Sequence, residues 1–138
     1  SEIAVYGICV RRDKKQQTLR VKSIVRLAEK LIGCGQVVQD SDVKCYDDWL
    51  CPGYGKTNAL VYESMTLAGN LEGMIVDPVY TAKSLAGALG LFRNGVFNEA
   101  QNVLYLHTGG TPAVFAYEDE LTAKLSENLS ITNLDNMT

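Results

Sequence analysis

The chain has 138 residues, 46% of them hydrophobic and 21% charged, with 12 glycines. This is the composition of one globular domain around a single core, neither disordered nor membrane-like. A net charge of −3 and a pI near 5.1 give no global basic field toward nucleic acid or an anionic membrane. No apolar run approaches the length of a bilayer span, and the opening SEIAVYGICV lacks the basic region and cleavage site of a signal peptide. A cytoplasmic protein with no nucleic-acid or membrane partner is the expectation.

Ile3 to Val10 is a continuous apolar run of strand length, the pattern of a strand buried on both faces in a parallel sheet. From about Lys15 to Ile32 the apolar residues Leu19, Val21, Ile24, Val25, Ala28, Leu31 and Ile32 recur at helical spacing, with Gly33 and Gly35 as stop signals. The basic residues between Arg11 and Arg26 read as a solvated helix face, since no aromatic residues are interleaved for base stacking. Residues 34 to 57 read as a polar excursion. A second helix is expected from Asn58, as N-cap, to Gly73. Met74-Ile75-Val76 is a very short apolar strand running into Asp77-Pro78, where Asp77 reads as a turn or cap residue rather than an acid catalyst.

A third helix, Thr81 to Asn94, closes at Gly95 and carries Ala82, Ala86, Gly87, Ala88 and Gly90, small residues that suggest close packing against a neighbour. Val103 to Leu106 is the second buried-strand candidate. It delivers His107-Thr108-Gly109-Gly110 at its carboxyl end, where open α/β sheets bind ligands. His107, a lone histidine on an apolar strand, reads as a satisfied core residue before a catalytic base. Thr111-Pro112 opens a short helical segment through Tyr117, and the polar tail 126–138 is expected to fray. Strands and helices alternate, so the fold class is α/β, a three-layer, open, mostly parallel sheet with flanking helices.

The four cysteines form no C-x-x-C pair and lie far from the single histidine, so no metal site is expected. Cys9 reads as a small hydrophobe in its strand, whereas Cys45 and Cys51 fall in the polar loop, open to oxidation. Gly55-Lys56-Thr57 ends like a phosphate-binding P-loop, but the glycine that such a loop needs five positions earlier is Leu50, and Tyr46-Asp47-Asp48-Trp49 is no buried strand. A P-loop NTPase is therefore the remote alternative.

Four stretches in order carry a more specific pattern: Pro52-Gly53-Tyr54-Gly55, Leu71-Glu72-Gly73-Met74, Asp77 to Lys83, and Leu106 to Ala113. From about Ile3 to Tyr117 the chain resembles the pyridoxal-phosphate-dependent D-cysteine desulfhydrase and 1-aminocyclopropane-1-carboxylate (ACC) deaminase family, of tryptophan-synthase-β-like fold (fold type II). The resemblance implies that Tyr54 and Tyr80 are the two catalytic tyrosines near the reactive face of pyridoxal 5'-phosphate. It implies that Thr108 and Gly109 meet the pyridine ring, with the Thr108 hydroxyl on the ring nitrogen, and that Thr81 is the neighbouring cofactor-side position that separates the two activities. The family's deaminases carry glutamate where Thr81 stands and leucine where Thr108 stands. The pair found here is desulfhydrase-like, a neutral hydroxyl giving a weaker electron sink that suffices for β-elimination of a small amino acid to pyruvate, ammonia and sulfide.

ACC deamination is the alternative activity, and a non-catalytic interaction module on the same scaffold the alternative from another class. Ala82 replaces a common family glycine, and Lys56-Thr57 stands where relatives often carry proline. By the resemblance, residues 1–125 form the C-terminal part of the catalytic domain, and the Schiff-base lysine belongs to an earlier segment. The chain alone is expected to be inactive and to pack on that segment or as a homodimer. Lys83 is not that lysine and reads as a salt-bridged or solvated position.

Overall fold

A computed structural model describes residues 3–50, 53–98 and 102–124. Cys51, Pro52 and the tail 126–138 lie outside the described residues. The N-terminal apolar run forms a short strand, β1 (Tyr6–Ile8), which leads into helix α1 (Lys14–Ile32) and a parallel partner, β2 (Lys44–Tyr46). Tyr6 pairs with Lys44, Gly7 with Cys45 and Ile8 with Tyr46, and the Cys9 N–H extends the ladder to the Tyr46 carbonyl at 2.8 Å. Asp13 starts α1 by accepting the Gln16 N–H at 2.8 Å, and Gly33, at φ 75°, ends it in the left-handed region that favours glycine.

Strand β2 corrects the reading of 34–57 as a polar excursion. Three residues are too few to show a period of two, and what holds them is the ladder to β1 together with cross-strand rings. Tyr6 and Tyr46 lie 6.1 Å apart between centroids, Phe97 meets Tyr6 edge-on at 5.2 Å, and Lys44 Nζ sits 5.3 Å over the Tyr6 ring. Cys45 is consequently buried in the sheet beside Cys9, not exposed in a loop. Burial, then the neighbouring Cys45, Asp47 and Asp13, pushes the Cys9 thiol up to about 11, which leaves it protonated and unreactive at neutral pH.

The basic face of α1 is partly committed. Arg26 donates to Glu29, to the Val38 carbonyl and to Asp40, and Lys22 also reaches Asp40. Glu29 is buried and accepts from the Val37 and Val38 N–H groups, so these ions tie the end of α1 to the segment entering β2. Leu19, Ile24, Leu27, Leu31 and Ile32 remain exposed.

The core lies between α2 (Ala59–Glu72) and α3 (Thr81–Arg93), where Val61, Ala68, Val76 and Ala82 are buried together, with Met65, Met74 and Leu85 packed against them. Asn58 caps α2 through the Val61 N–H at 3.0 Å, and Gly73 ends it at φ 61°. The small residues of α3 do the expected work: an added Cβ on Gly87 would stand 2.6 Å from Ile8 Cγ1, and one on Gly90 would overlap the Trp49 indole. Those two glycines let α3 lie directly on β1 and on Trp49.

Neither Met74-Ile75-Val76 nor Val103–Leu106 forms a hydrogen-bonded strand among the described residues. Val103, Leu104 and Leu106 are exposed, Leu104 at 91%, whereas Tyr105 and His107 turn inward. An unbroken apolar run predicts burial on both faces, but Val103, Leu104 and Leu106 form a face without a partner among the described residues. Beyond it a 3-10 helix, Thr111–Tyr117, is capped by Gly110 rather than Thr111 and carries Pro112 in its first turn, and helix α4 follows over 118–124.

Candidate active site

The site begins at the amino end of α3. Asp77 is fully buried, and its carboxylate accepts from the N–H groups of Val79 (2.9 Å), Tyr80 (2.8 Å) and Thr81 (2.8 Å) and from the Thr81 hydroxyl (2.6 Å). Burial raises the Asp77 pKa, but the bonds from Thr81, Tyr80 and Val79 outweigh it and hold the carboxyl below its ordinary range. Asp77 is thus the turn residue its place before Pro78 predicts, holding the turn that leads into α3. Pro78 fits this turn because it has no N–H to satisfy.

Thr81 is fully buried. Its hydroxyl donates to Asp77 and accepts the Asp77 N–H at 2.7 Å, so it is committed inside the turn. The Thr81 carbonyl takes the Tyr105 hydroxyl at 2.9 Å, and Ser84 lies 3.2 Å from the same hydroxyl. Tyr105 thereby docks the segment 103–110 onto α3.

His107 fixes the end of that segment. Its Nε2 lies 3.1 Å from the Ile75 carbonyl, which can only accept, and its Nδ1 accepts the Gly109 N–H at 3.3 Å. The ring is thus the neutral Nε2–H tautomer, a bridge between two backbone segments. Gly109 and Gly110 follow at φ 97° and 94°. A Cβ on Gly110 would lie 2.6 Å from Asp77 Oδ1 and 3.2 Å from Tyr80 Cδ2, so the turn is pressed against the start of α3. A Cβ on Gly109 would meet nothing within 4 Å, and Thr108 beside it is exposed.

Tyr80 leaves the same corner, and its hydroxyl is hydrogen-bonded to that of Tyr54 across 26 positions of sequence, the rings 5.9 Å apart. The bond to Tyr54, then desolvation and the Tyr54 and Asp77 charges, raises the Tyr80 phenol above its ordinary value, against a smaller lowering by Arg11. The Arg11 guanidinium stands 5.3 Å over the Tyr54 ring. Within such a pair one phenol donates to the other, and the acceptor's own hydrogen is left to face outward.

The loop carrying Tyr54 is held from beneath. Gly55, at φ 71°, gives its carbonyl to the Tyr117 hydroxyl at 2.8 Å, and Thr57 and Tyr62 both donate to one Glu120 oxygen. This removes the P-loop reading: Thr57 serves a carboxylate, a poor neighbour for a triphosphate, and the stretch does not run directly from a buried strand into a helix. Lys83 corrects its own expectation. It is 0% exposed, neither solvated nor salt-bridged among the described residues, and its Nζ faces the Gly53 carbonyl at 3.4 Å.

The chain is 35% identical to the D-cysteine desulfhydrases of Salmonella typhi and Salmonella paratyphi C over 116 residues, 84% of this chain and 34% of each relative. Over that stretch the chain is similar to the D-cysteine desulfhydrases. A crystal structure of an ACC deaminase homologue superposes with a TM-score of 0.74 at 33% identity, over 86% of this chain and 34% of that one. No family model matches the chain. The chain spans about a third of the length of the desulfhydrases it matches.

Of the residues singled out in the sequence, Tyr54 and Tyr80 meet, Thr81 lies beneath them on Asp77, and Thr108 and Gly109 stand in the turn that Gly110 presses against Tyr80. Tyr105, Tyr117, Glu120 and Arg11 carry no site signal in the sequence, where Lys83 reads as a salt-bridged or solvated position. Lys83 had a signal, since it stands three residues before Ala86 and four before Gly87 on the buried stripe of α3.

Proposed function

We propose that the chain supplies one side of the active site of a cytoplasmic, pyridoxal-phosphate-dependent lyase acting on a small amino acid, D-cysteine before ACC. The observation that carries this is the meeting of the Tyr54 and Tyr80 phenols beside the 107–110 turn, in a chain similar to the D-cysteine desulfhydrases. The residues present fit the cofactor. The open space at Gly109 lets a flat ring approach the backbone, and the exposed Thr108 offers a hydroxyl to a ring nitrogen. When bound, the cofactor supplies an electron sink for charge developing at the substrate Cα.

The chain's own residues do the rest. Thr108 and Gly109 would hold the cofactor ring, and Thr81 keeps that turn in place through Asp77 and Tyr105. The phenol pair would present an outward O–H to the substrate, from which a proton can move to the departing thiolate sulfur, the phenolate left behind regaining a proton from water; the raised Tyr80 phenol stays protonated at neutral pH. The exposed apolar residues Ile75, Leu104 and Leu106 lie where the rest of a full-length protein, or a second subunit, would pack.

The test is the full-length gene product, loaded with pyridoxal phosphate and offered D-cysteine, L-cysteine and ACC. Release of sulfide and pyruvate from D-cysteine, with little turnover of ACC, is the expected result. Turnover of ACC alone would move the assignment to deamination, and turnover of none would remove it.

A further inference from the structure

The loop 53–57 alternates. Gly53, Gly55 and Thr57 are half-buried and each is held from beneath, while Tyr54 and Lys56 between them are exposed. The three anchors come from three elements: Lys83 from α3, Tyr117 from the 3-10 helix, and Glu120 from α4. We infer that Lys83 and Tyr117 are positioning residues for the phenol pair, acting through the Gly53 and Gly55 carbonyls that flank Tyr54. The inference rests on the reading above only for its catalytic consequence.

The geometry gives the two residues more than a packing role. Lys83 is the largest of the fully buried side chains, and among the described residues it donates to a single backbone carbonyl, that of Gly53. A polar amine is costly to bury, and a site on the apolar stripe of α3 would be filled more cheaply by leucine or methionine. What the lysine adds is a donor aimed at the residue before Tyr54. Tyr117 adds a donor to the residue after it, and Gly55 accommodates it closely, since a Cβ there would come within 3.0 Å of the Tyr117 oxygen. The loop itself has two glycines in three positions and one internal turn bond, Lys56 N–H to the Gly53 carbonyl at 3.2 Å, so little within it would hold Tyr54 on Tyr80. Both anchors are covalently continuous with the site: Lys83 lies three residues after Tyr80, and Tyr117 closes the helix that begins at the 107–110 turn. One rigid corner therefore carries Tyr80 and the turn and also grips the loop that brings Tyr54.

The readout is the Tyr80 phenol, faced by Tyr54, Asp77 and Arg11. In the full-length gene product, tyrosines labelled with carbon-13 at the ring carbon bearing oxygen are titrated by NMR, and Tyr54→Phe and Tyr80→Phe assign the two resonances. Tyr80 is expected to titrate above free tyrosine in the native protein. In Lys83→Met and in Tyr117→Phe its midpoint should fall toward that of Tyr54→Phe, with kcat lower by up to about 10²-fold and KM little changed. Tyr117→Phe removes one oxygen and keeps the ring, so it carries the test if Lys83→Met does not fold. A Tyr80 midpoint unchanged in a folded variant overturns the inference, whatever the activity. A shifted midpoint in a protein that turns over no amino acid leaves the positioning intact and removes only the proposed reaction.

Discussion

Asp77→Ala is expected to destabilise the protein by about 3 kcal/mol, read as a fall of roughly 10 °C in the thermal midpoint. The carboxylate accepts three backbone N–H groups at the start of α3 and the Thr81 hydroxyl, with no solvent access to replace it. Losing an ordinary N-cap costs about 1 kcal/mol; here the donors left behind are buried, which adds the desolvation penalty of unpaired groups. The loss also spreads, because Gly110 is pressed against Asp77 and the Thr81 carbonyl carries Tyr105. Asp77→Asn, which keeps one acceptor oxygen, should recover part of the stability. The sign of the pH dependence follows from the depressed carboxyl. Its contribution is present above the pKa of an unfolded aspartate and is lost as pH falls through the lower folded value. The alanine variant should show a shallower acid limb than the native protein, while Glu29, Asp40, Glu63 and Glu120, also lowered by their partners, keep some slope in both.

Tyr80→Phe is expected to lower kcat of the cofactor-loaded full-length enzyme by about 10²- to 10⁴-fold, the usual range for losing a positioned acid or base. The ring remains to pack against Gly110, and Asp77 still caps α3 through the backbone N–H groups, so folding and cofactor binding should be nearly unchanged. Tyr54→Phe removes the other half of the same hydrogen bond. Two groups that act as a unit do not lose activity additively, and the double variant should be little worse than the poorer single one. Steady-state kinetics of the three variants on D-cysteine check this, and additive losses would mean that the phenols work independently.

The helices were legible because each carries its own punctuation: Asp13 and Gly33 around α1, Asn58 and Gly73 around α2, Gly95 just beyond α3. The pressure of small residues on Ile8 and Trp49 was also readable, from Gly87 and Gly90. Strand β2 was not, because its three residues acquire their structure from β1 and from rings elsewhere in the chain. The run 103–106 misled in the opposite direction: an apolar pattern reports what a segment is fit to bury, not whether a partner is at hand. In the site, the motifs delivered Tyr54, Tyr80 and the 107–110 turn as separate points. Their meeting depends on Asp77, Tyr105 and His107, whose bonds span up to 32 positions and leave no local trace.

The most direct measurement is the uptake of pyridoxal phosphate by the full-length gene product, followed by the visible absorption of the bound cofactor, in the native protein and in Thr108→Val. A native protein that binds the cofactor and changes its absorption on adding D-cysteine, with Thr108→Val binding it more weakly or with a displaced band, is the expected result. A native protein that takes up no cofactor, or a Thr108→Val protein with unaltered affinity and spectrum, would contradict the placing of the 107–110 turn at the pyridine ring.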